Sequence, residues 1–160
     1  MRVGIGYDIH RLEESRTLIL GGVRVPFKSG LAGHSDADVL VHSICDALLG
    51  ALALGDIGQH FPDTDMQYRG ISSMILLDKV KSLIQSRGYI TNNVDAVIIA
   101  QEPKLAPFIS AMRENIARTL EIAVEYVSIK ATTTERLGSI GQGRAIAAEA
   151  IVSVKSISSQ

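Results

Sequence analysis

The chain has 160 residues, with 16 basic and 17 acidic side chains, a formal net charge of −1 at pH 7 and 46% hydrophobic residues. This length is enough for one domain with a buried core, and the near-neutral charge with scattered Lys and Arg argues against nucleic acid or a membrane as a partner. Aromatic residues make up 4% and Trp is absent, which argues against a stacking platform for single-stranded nucleic acid.

The compartment is predicted from cysteine usage and from hydropathy. The single cysteine, Cys45, lies in an apolar helical pattern, so we expect no disulfide and a reducing environment. No stretch approaches 18 consecutive apolar residues, and no signal-peptide pattern is evident at the start. We therefore expect a soluble cytoplasmic protein that forms one domain over residues 1–160.

The first predicted element is a strand, because R-V-G-I-G-Y-D-I-H alternates between two kinds of residue. The face predicted to lie in the core carries four apolar side chains: Val3, Ile5, Tyr7 and Ile9. The other face carries two glycines, Gly4 and Gly6, followed by Asp8 and His10. Because residues two apart on a strand share a face, Asp8 and His10 can converge on one ion. A polar pair on a solvent-facing strand is the alternative.

The rest of the chain alternates between strands and helices. The pattern predicts a hairpin over residues 17–27, helices over 36–53, 71–87 and 107–120, and strands over 94–100, 127–131 and 145–157. Loops rich in Gly, Pro and Asp separate these elements. We expect an α/β (α+β) fold in which a mixed β-sheet has helices packed on one face.

The stretch H-S-D-A-D-V-L-V-H, residues 34–42, holds two of the four histidines and two aspartates. Ser35 and Asp38 match the capping box S-x-x-[DE], which predicts a helix start. His42 shares a helical stripe with Asp38 and Asp46, where a carboxylate can orient a metal-bound imidazole. The alternative for His42 is a surface histidine paired with an aspartate.

Asp8, His10 and His42 together offer two imidazoles and one carboxylate. This donor set suits zinc, and three protein ligands leave the fourth tetrahedral position open, as in catalytic sites.

The stretch K-A-T-T-T-E-R-L-G, residues 130–138, contains a second capping box formed by Thr132 and Glu135. Three hydroxyls beside free backbone N–H groups would make a phosphate cradle, and a capped turn alone is the alternative. Glu135 could instead hold Mg²⁺, which takes one or two carboxylates together with substrate phosphates. In F-P-D-T-D, residues 61–65, the aspartates are typical turn formers. The sequence has no P-loop, no complete dinucleotide fingerprint and no nucleophile elbow. The zinc-like donor set, the phosphate cradle and the Mg²⁺ candidate together indicate an enzyme that acts on a diphosphate.

Several separated motifs carry a family resemblance that spans nearly the whole chain. In order they are G-Y-D-I-H, L-G-G-V-R-V-P, H-S-D-A-D-V-L-V-H, D-A-L-L-G-A-L-A-L-G-D-I-G, F-P-D-T-D, N-V-D, A-Q-E-P-K and K-A-T-T-T-E-R-L-G. In this order they resemble the 2-C-methyl-D-erythritol 2,4-cyclodiphosphate synthase family. The resemblance implies a homotrimer with the sheets packed around a three-fold axis and active sites between subunits.

The resemblance also implies one reaction, that of a phosphorus–oxygen lyase in the non-mevalonate isoprenoid precursor pathway. The 2-phosphate of 4-diphosphocytidyl-2-C-methyl-D-erythritol 2-phosphate attacks the β-phosphate of the same molecule, which gives the 2,4-cyclodiphosphate and releases CMP. A phosphate monoester is already mostly dianionic at neutral pH, so a strong general base is not needed.

The resemblance assigns roles to individual positions. Asp8, His10 and His42 match zinc ligands, and Glu135 matches a ligand of Mg²⁺ or Mn²⁺. His34 and Thr133 match catalytic positions that polarise the reacting phosphates. The implied substrate contacts are Asp8, His10, His34, Ser35, Asp56, Ile57, Gly58, Phe61, Pro62, Asp63, Thr64, Asp65, Ala100, Gln101, Glu102, Pro103, Lys104, Leu105, Ala106, Thr132, Thr133, Thr134, Glu135, Ser139 and Gln142. Among them, Asp56 and Gly58 match contacts to the erythritol hydroxyls, and residues 61–65 line the same pocket. Residues 100–106 with Thr132 match the cytidine diphosphate site.

One stretch departs from the family pattern. Family members commonly read G-R-G-E-G-I-A where this chain reads G-Q-G-R-A-I-A, with Gln142 in place of Arg and Arg144 in place of Glu. That arginine position is associated with the end of the trimer's central channel, where isoprenoid diphosphates are found in relatives, and with substrate.

Two other functions compete with the synthase. A zinc-dependent phosphohydrolase would use the same metal to activate water and would release phosphate from simple phosphoesters. A non-enzymatic trimer that binds nucleotides or isoprenoids would use the histidines and aspartates structurally.

Overall fold

The computed structural model describes residues 1–62 and 64–157. Its strands are β1 (Arg2–Glu14), β2 (Leu18–Leu20), β3 (Val23–Val25), β4 (Ser29–Leu31), β5 (Tyr89–Ile99), β6 (Val127–Thr132) and β7 (Ala145–Ser156). Its helices are α1 (Val39–Ala51), α2 (Ile57–His60), α3 (Ser73–Ser86), α4 (Ile109–Leu120) and α5 (Gly138–Gly141). Short 3₁₀ turns occupy Met66–Tyr68, Ala106–Phe108 and Val124–Tyr126.

The main sheet has five strands in the order β4-β1-β7-β5-β6. β5 and β6 run parallel and every other neighbouring pair is antiparallel, so the prediction of a mixed sheet is confirmed. β2 and β3 form a separate hairpin, and Gly21 and Gly22 between them both have positive φ, as the tight turn requires.

The hydrophobic core lies between one face of the sheet and the helices, led by α1. Leu40, Ile44 and Leu48 are fully buried, as their four-residue spacing predicts. The prediction that helices pack on one face of the sheet is confirmed. Among the described residues no helix combines the length and the hydropathy needed to span a membrane.

The prediction for the two faces of β1 is wrong. Its apolar side chains are exposed in the chain, with Val3 at 61% and Ile5 at 63% of their full accessibility. The glycine face is the one that packs against the core. The alternation correctly predicts a strand, but hydrophobicity alone assigns the wrong face, because glycines can be buried wherever a helix backbone comes close.

Gly4 and Gly6 let α1 lie directly on β1. A Cβ atom on Gly4 would lie 2.0 Å from the backbone oxygen of Ala47, and one on Gly6 would lie 2.0 Å from that of Ser43. Any side chain at these positions would therefore push the helix away from the strand. The glycines bring α1 to within reach of the polar end of the same strand face.

Candidate active site

Three side chains from two elements meet at the polar end of β1. Oδ2 of Asp8 lies 2.9 Å from Nε2 of His10 and 2.9 Å from Nδ1 of His42, which α1 supplies. One ligand atom from each residue lies within 4.8 Å of the others. The interpretation of His42 as a surface histidine is wrong, because His42 is buried. The interpretation of Asp8 and His10 as a solvent-facing pair is also wrong, because both side chains are mostly buried beside α1.

The second nitrogen of each imidazole has its own partner. Nδ1 of His10 lies 2.5 Å from the carbonyl oxygen of Ala32, and Nε2 of His42 lies 2.9 Å from the hydroxyl of Ser73. A carbonyl oxygen can only accept, so Nδ1 of His10 carries a hydrogen. Nε2, which contacts Asp8, is the nitrogen of this ring that would bind a metal ion. This is the arrangement found around metal-bound histidines.

Charges within the triad act strongly on one another. Burial raises the pKa of the Asp8 carboxyl, but hydrogen bonds and charge from His10 and His42 outweigh it and hold that pKa well below its usual range. The hydrogen bond to Asp8 raises the pKa of His10 against the opposing effect of burial. An ionised carboxylate facing two imidazole nitrogens attracts positive charge, so the residues present fit a divalent metal ion.

The triad borders a cavity of about 580 Å³. The lining residues are Asp8, His10, Gly33, His34, Ser35, His42, Asp46, Ile57, Gly58, Phe61, Pro62, Thr64, Tyr68, Ile71 and Leu76. Nε2 of His34 is buried and has no hydrogen-bond partner within residues 1–62 and 64–157. A buried nitrogen without a partner beside a cavity is available to a ligand.

The capping box predicted at Ser35 is wrong. α1 begins after Asp38, whose carboxylate accepts a hydrogen bond from the backbone N–H of Val41. Ser35 instead accepts from the N–H of Ala37, which has a φ of +57°. The chain turns at these residues before the helix starts, so Ser35 stays at the cavity.

The predicted erythritol-binding segment forms one wall of the same cavity. Asp56 caps α2 by accepting from the N–H of Gln59 at 3.0 Å, and Asp65 caps the next turn through the N–H of Gln67 at 3.0 Å. Asp46 of α1 accepts from the N–H of Ile57 at 2.8 Å and fixes this segment to the helix. Asp63, which the resemblance also includes, lies outside the described residues.

The predicted cytidine site lies at the ends of β5 and β6. The N–H of Ala100 donates to the carbonyl oxygen of Thr132 at 3.0 Å, and the side-chain oxygen of Gln101 accepts from the N–H of Arg136 at 3.1 Å. These contacts join the residue 100–106 loop to the T-T-T-E segment. Both predicted parts of this site therefore lie together.

The second predicted capping box is also wrong. Glu135 and Arg136 have φ values of +51° and +65°, so no helix begins there, and α5 starts only at Gly138. The hydroxyl of Thr133, rather than that of Thr132, contacts Glu135: it donates to Oε1 at 3.0 Å and accepts from the N–H at 3.2 Å. Both side chains are exposed and free to meet a ligand.

The two halves of the predicted site are separate within one chain. Thr132 pairs with Ile99, Ile99 with Ala147, and Ala147 with Ile9. Both halves therefore lie at the same end of the strands, on different strands of the sheet. Three strand spacings separate β1 from β6, a distance of roughly 14 Å. No residue of 100–106 or 132–135 lines the cavity beside the triad, as far as the described residues go.

The departure from the family pattern lies at the end of α5. Gln142 and Arg144 are both exposed, and the guanidinium of Arg144 donates to the side-chain oxygen of Gln142. Ser139, another predicted substrate contact, lies within α5. This short helix follows directly after the T-T-T-E segment.

Comparison with known proteins identifies the family of this chain. A model of the YgbB family matches residues 1–155. The chain belongs to this family. A curated relative from Alkaliphilus metalliredigens, 2-C-methyl-D-erythritol 2,4-cyclodiphosphate synthase, is 64% identical over 96% of this chain and 97% of its own. The resemblance read from the motifs is confirmed.

Solved structures of the family share the fold. The bifunctional IspDF from Campylobacter jejuni has a TM-score of 0.93 and 44% identity over 97% of this chain, which spans 42% of that longer protein. A complex of IspF from Plasmodium falciparum with CDP has a TM-score of 0.85 and 38% identity, over 98% of this chain and 97% of that one. Family membership therefore rests on sequence and on structure together.

Sequence analysis missed three residues that organise the site: Asp36, Asp46 and Ser73. Asp36 and Ser73 lie at helix starts, where Asp and Ser are expected as caps in any protein. Asp46 was recognised only as a member of a helical stripe. Nothing in the local pattern distinguishes these residues from ordinary capping or surface groups.

Proposed function

We propose that the protein is a 2-C-methyl-D-erythritol 2,4-cyclodiphosphate synthase and therefore a lyase that releases CMP. The observation that carries the proposal is the Asp8, His10 and His42 triad on a cavity lined by His34 and Ser35, in a chain of this family. The substrate is 4-diphosphocytidyl-2-C-methyl-D-erythritol 2-phosphate. An oxygen of its 2-phosphate bonds to the β-phosphorus, the bond from that phosphorus to the bridging oxygen breaks, and CMP leaves.

Two metal sites belong to the proposal. The triad would hold zinc, because two imidazoles and a carboxylate suit that ion, and Glu135 would hold Mg²⁺ or Mn²⁺ together with the substrate diphosphate. When bound, these ions supply Lewis acidity and neutralise charge on the diphosphate. The tight cluster of ligand atoms supports the first site, and the exposed carboxylate of Glu135 beside Thr133 supports the second.

Side chains at the cavity orient the reacting groups. Nε2 of His34 is buried beside the cavity and has no hydrogen-bond partner among the described residues, so it can bond a phosphate oxygen. The hydroxyl of Thr133 can donate to the diphosphate when it releases Glu135. Because the reaction joins two groups of one molecule, holding them in line contributes several kcal/mol, on the order of the effective-molarity terms known for intramolecular reactions.

The remaining predicted contacts divide into two pockets. Residues 56–58 and 61–65 would hold the erythritol half, with Asp56 and Gly58 at its hydroxyls. Residues 100–106 and 132–135 would hold the cytidine diphosphate, with Ser139 and Gln142 close by. The complex of the Plasmodium falciparum relative with CDP supports a cytidine nucleotide as ligand.

A homotrimer, which the family resemblance implies, belongs to the same proposal. The triad and the predicted cytidine loop belong to separate patches of one chain, so a neighbouring subunit can complete the site. The apolar face of β1 and the adjoining Ile151 of β7, which is 48% exposed, offer the surface on which copies pack. We place the enzyme in the cytoplasm, because its substrate and products are phosphorylated, water-soluble metabolites.

The decisive experiment is a product analysis. Purified protein with zinc and Mg²⁺ is incubated with the diphosphocytidyl substrate, and the products are separated by chromatography and followed by ³¹P NMR. We expect equal amounts of CMP and cyclic diphosphate. Free phosphate from simple phosphoesters would support a phosphohydrolase instead, and the absence of any product would refute the enzymatic function.

A further inference from the structure

A chain of hydrogen bonds runs from Nε2 of His42, on the side of the ring away from Asp8, to the start of α3. Nε2 of His42 lies 2.9 Å from Oγ of Ser73. The Ser73 hydroxyl in turn donates to Oδ1 of Asp36, and the backbone N–H of Ser73 donates to Oδ2 of the same carboxylate at 3.0 Å. Ser73 is fully buried, so this contact is shielded from water.

The direction of these hydrogen bonds follows from the groups involved. A carboxylate only accepts, so the single hydroxyl hydrogen of Ser73 is committed to Asp36. The oxygen of Ser73 can then only accept from His42, which requires the hydrogen on Nε2. Nδ1 of His42, which shares a hydrogen bond with Oδ2 of Asp8 at 2.9 Å, is then the nitrogen that would bind a metal ion in place of that hydrogen.

A second serine near His42 does not alter this assignment. Oγ of Ser35 lies 3.2 Å from Nε2 of His42 and 3.4 Å from Oγ of Ser73. Both distances are longer than the 2.9 Å between Nε2 of His42 and Oγ of Ser73. Ser35 also accepts from the N–H of Ala37.

We propose that Asp36 and Ser73 form a positioning pair that fixes the tautomer and ring orientation of His42 for metal binding. Ala32 has the same function for His10, but through a backbone carbonyl. His42 therefore depends on two side chains that lie outside the candidate ligand set, one before α1 and one at the start of α3. The inference rests on the proposed metal centre and adds the residues that prepare it.

The test measures metal binding rather than turnover. Zinc affinity is determined by chelator competition for the full-length parent, Ser73→Ala, Asp36→Asn and the double variant. We expect Ser73→Ala to weaken zinc binding by about 10- to 100-fold, the usual effect of losing a partner behind a metal-bound histidine. Because both residues act through one chain of hydrogen bonds, the double variant should bind no more weakly than Ser73→Ala.

Ser72→Ala is the matched control. Ser72 caps the same helix by accepting from the N–H of Met74, but it is exposed, and the cavity beside the triad does not include it. This variant should therefore keep the parent's zinc affinity even if α3 is slightly weakened. The visible absorption of the Co²⁺ form gives an independent signature, since a reoriented His42 changes the ligand field whereas a weaker helix start does not.

The outcomes separate the two proposals. Parent protein that binds zinc tightly while Ser73→Ala binds equally well, with an unchanged Co²⁺ spectrum, overturns the positioning pair alone. Additive losses in the double variant also overturn it. Parent protein that binds no zinc overturns the metal centre itself.

Discussion

Oδ2 of Asp8 and Nδ1 of His42 lie 2.9 Å apart, although 34 positions separate the two residues in the chain. One belongs to β1 and the other to α1, and the two elements touch because Gly4 and Gly6 have no side chains. The candidate metal centre is thus a product of helix-to-strand packing, and variants can test the ligands and the packing separately.

Removing a ligand should remove the metal. His42→Ala should lower zinc content to near zero and reduce CMP release by more than about 100-fold, because even loss of a group behind a ligand costs up to that much. Zinc is measured by elemental analysis of the purified protein. His60→Ala is the control, since His60 bonds the carbonyl oxygen of Leu54 and does not line the cavity. Full zinc occupancy in His42→Ala would show that His42 is not a zinc ligand.

Disturbing the packing of α1 on β1 should weaken the candidate metal centre without changing any of its ligands. Gly6→Ala would place a Cβ atom 2.0 Å from the backbone oxygen of Ser43. We expect the free energy of unfolding to fall by about 1–3 kcal/mol, the usual cost of overpacking, and zinc affinity to fall with it. Urea denaturation and chelator competition measure the two effects.

Gly50→Ala provides the contrast on the facing helix. A Cβ there would come no closer than 3.7 Å to the backbone oxygen of Ile5, so no clash results. Helix propensity favours alanine over glycine by up to about 1 kcal/mol, so stability should be unchanged or higher. Equal losses in Gly6→Ala and Gly50→Ala would contradict the role given to close packing.

The exposed apolar face of β1 should control assembly. Ile5→Asp puts a charge on that face, opposite Ile151 of β7, and should convert trimers to monomers with loss of CMP release. Light scattering after size-exclusion chromatography measures the mass. Ile75→Asp, an equally conspicuous exposed isoleucine on α3, should leave the trimer intact. A parent protein that is monomeric and active would refute the shared active site.

The carboxylate of Glu135 should matter for turnover but not for the first metal. Glu135→Gln removes one negative charge beside Thr133, so CMP release should fall on the order of 10-fold or more and need higher Mg²⁺ concentrations, while zinc content stays constant. Glu125→Gln, at an exposed 3₁₀ turn, is the control. An unchanged Mg²⁺ dependence would exclude Glu135 as its ligand.

Residue types and their periodicity were sufficient for much of the fold. Alternation indicated β1, four-residue spacing indicated α1, and Gly21-Gly22 indicated the hairpin, because each pattern reports a local backbone preference. Local sequence preference also gave wrong predictions for two helix starts. Both predicted capping boxes fail, since Ala37 and Glu135 adopt positive φ values and turn the chain before a helix can form. A short motif does not contain the tertiary contacts that stabilise such turns.

The sequence by itself determined the donor types: two imidazoles and a carboxylate for a metal, and hydroxyls with a carboxylate for a phosphate chain. The order of its motifs determined the family. Only the tertiary structure decided which face of β1 is buried and that Asp8 meets His42. It also decided that Asp36 and Ser73 lie behind that histidine. The reason is physical: donor chemistry is a property of single side chains, whereas convergence depends on how closely two backbones can pack.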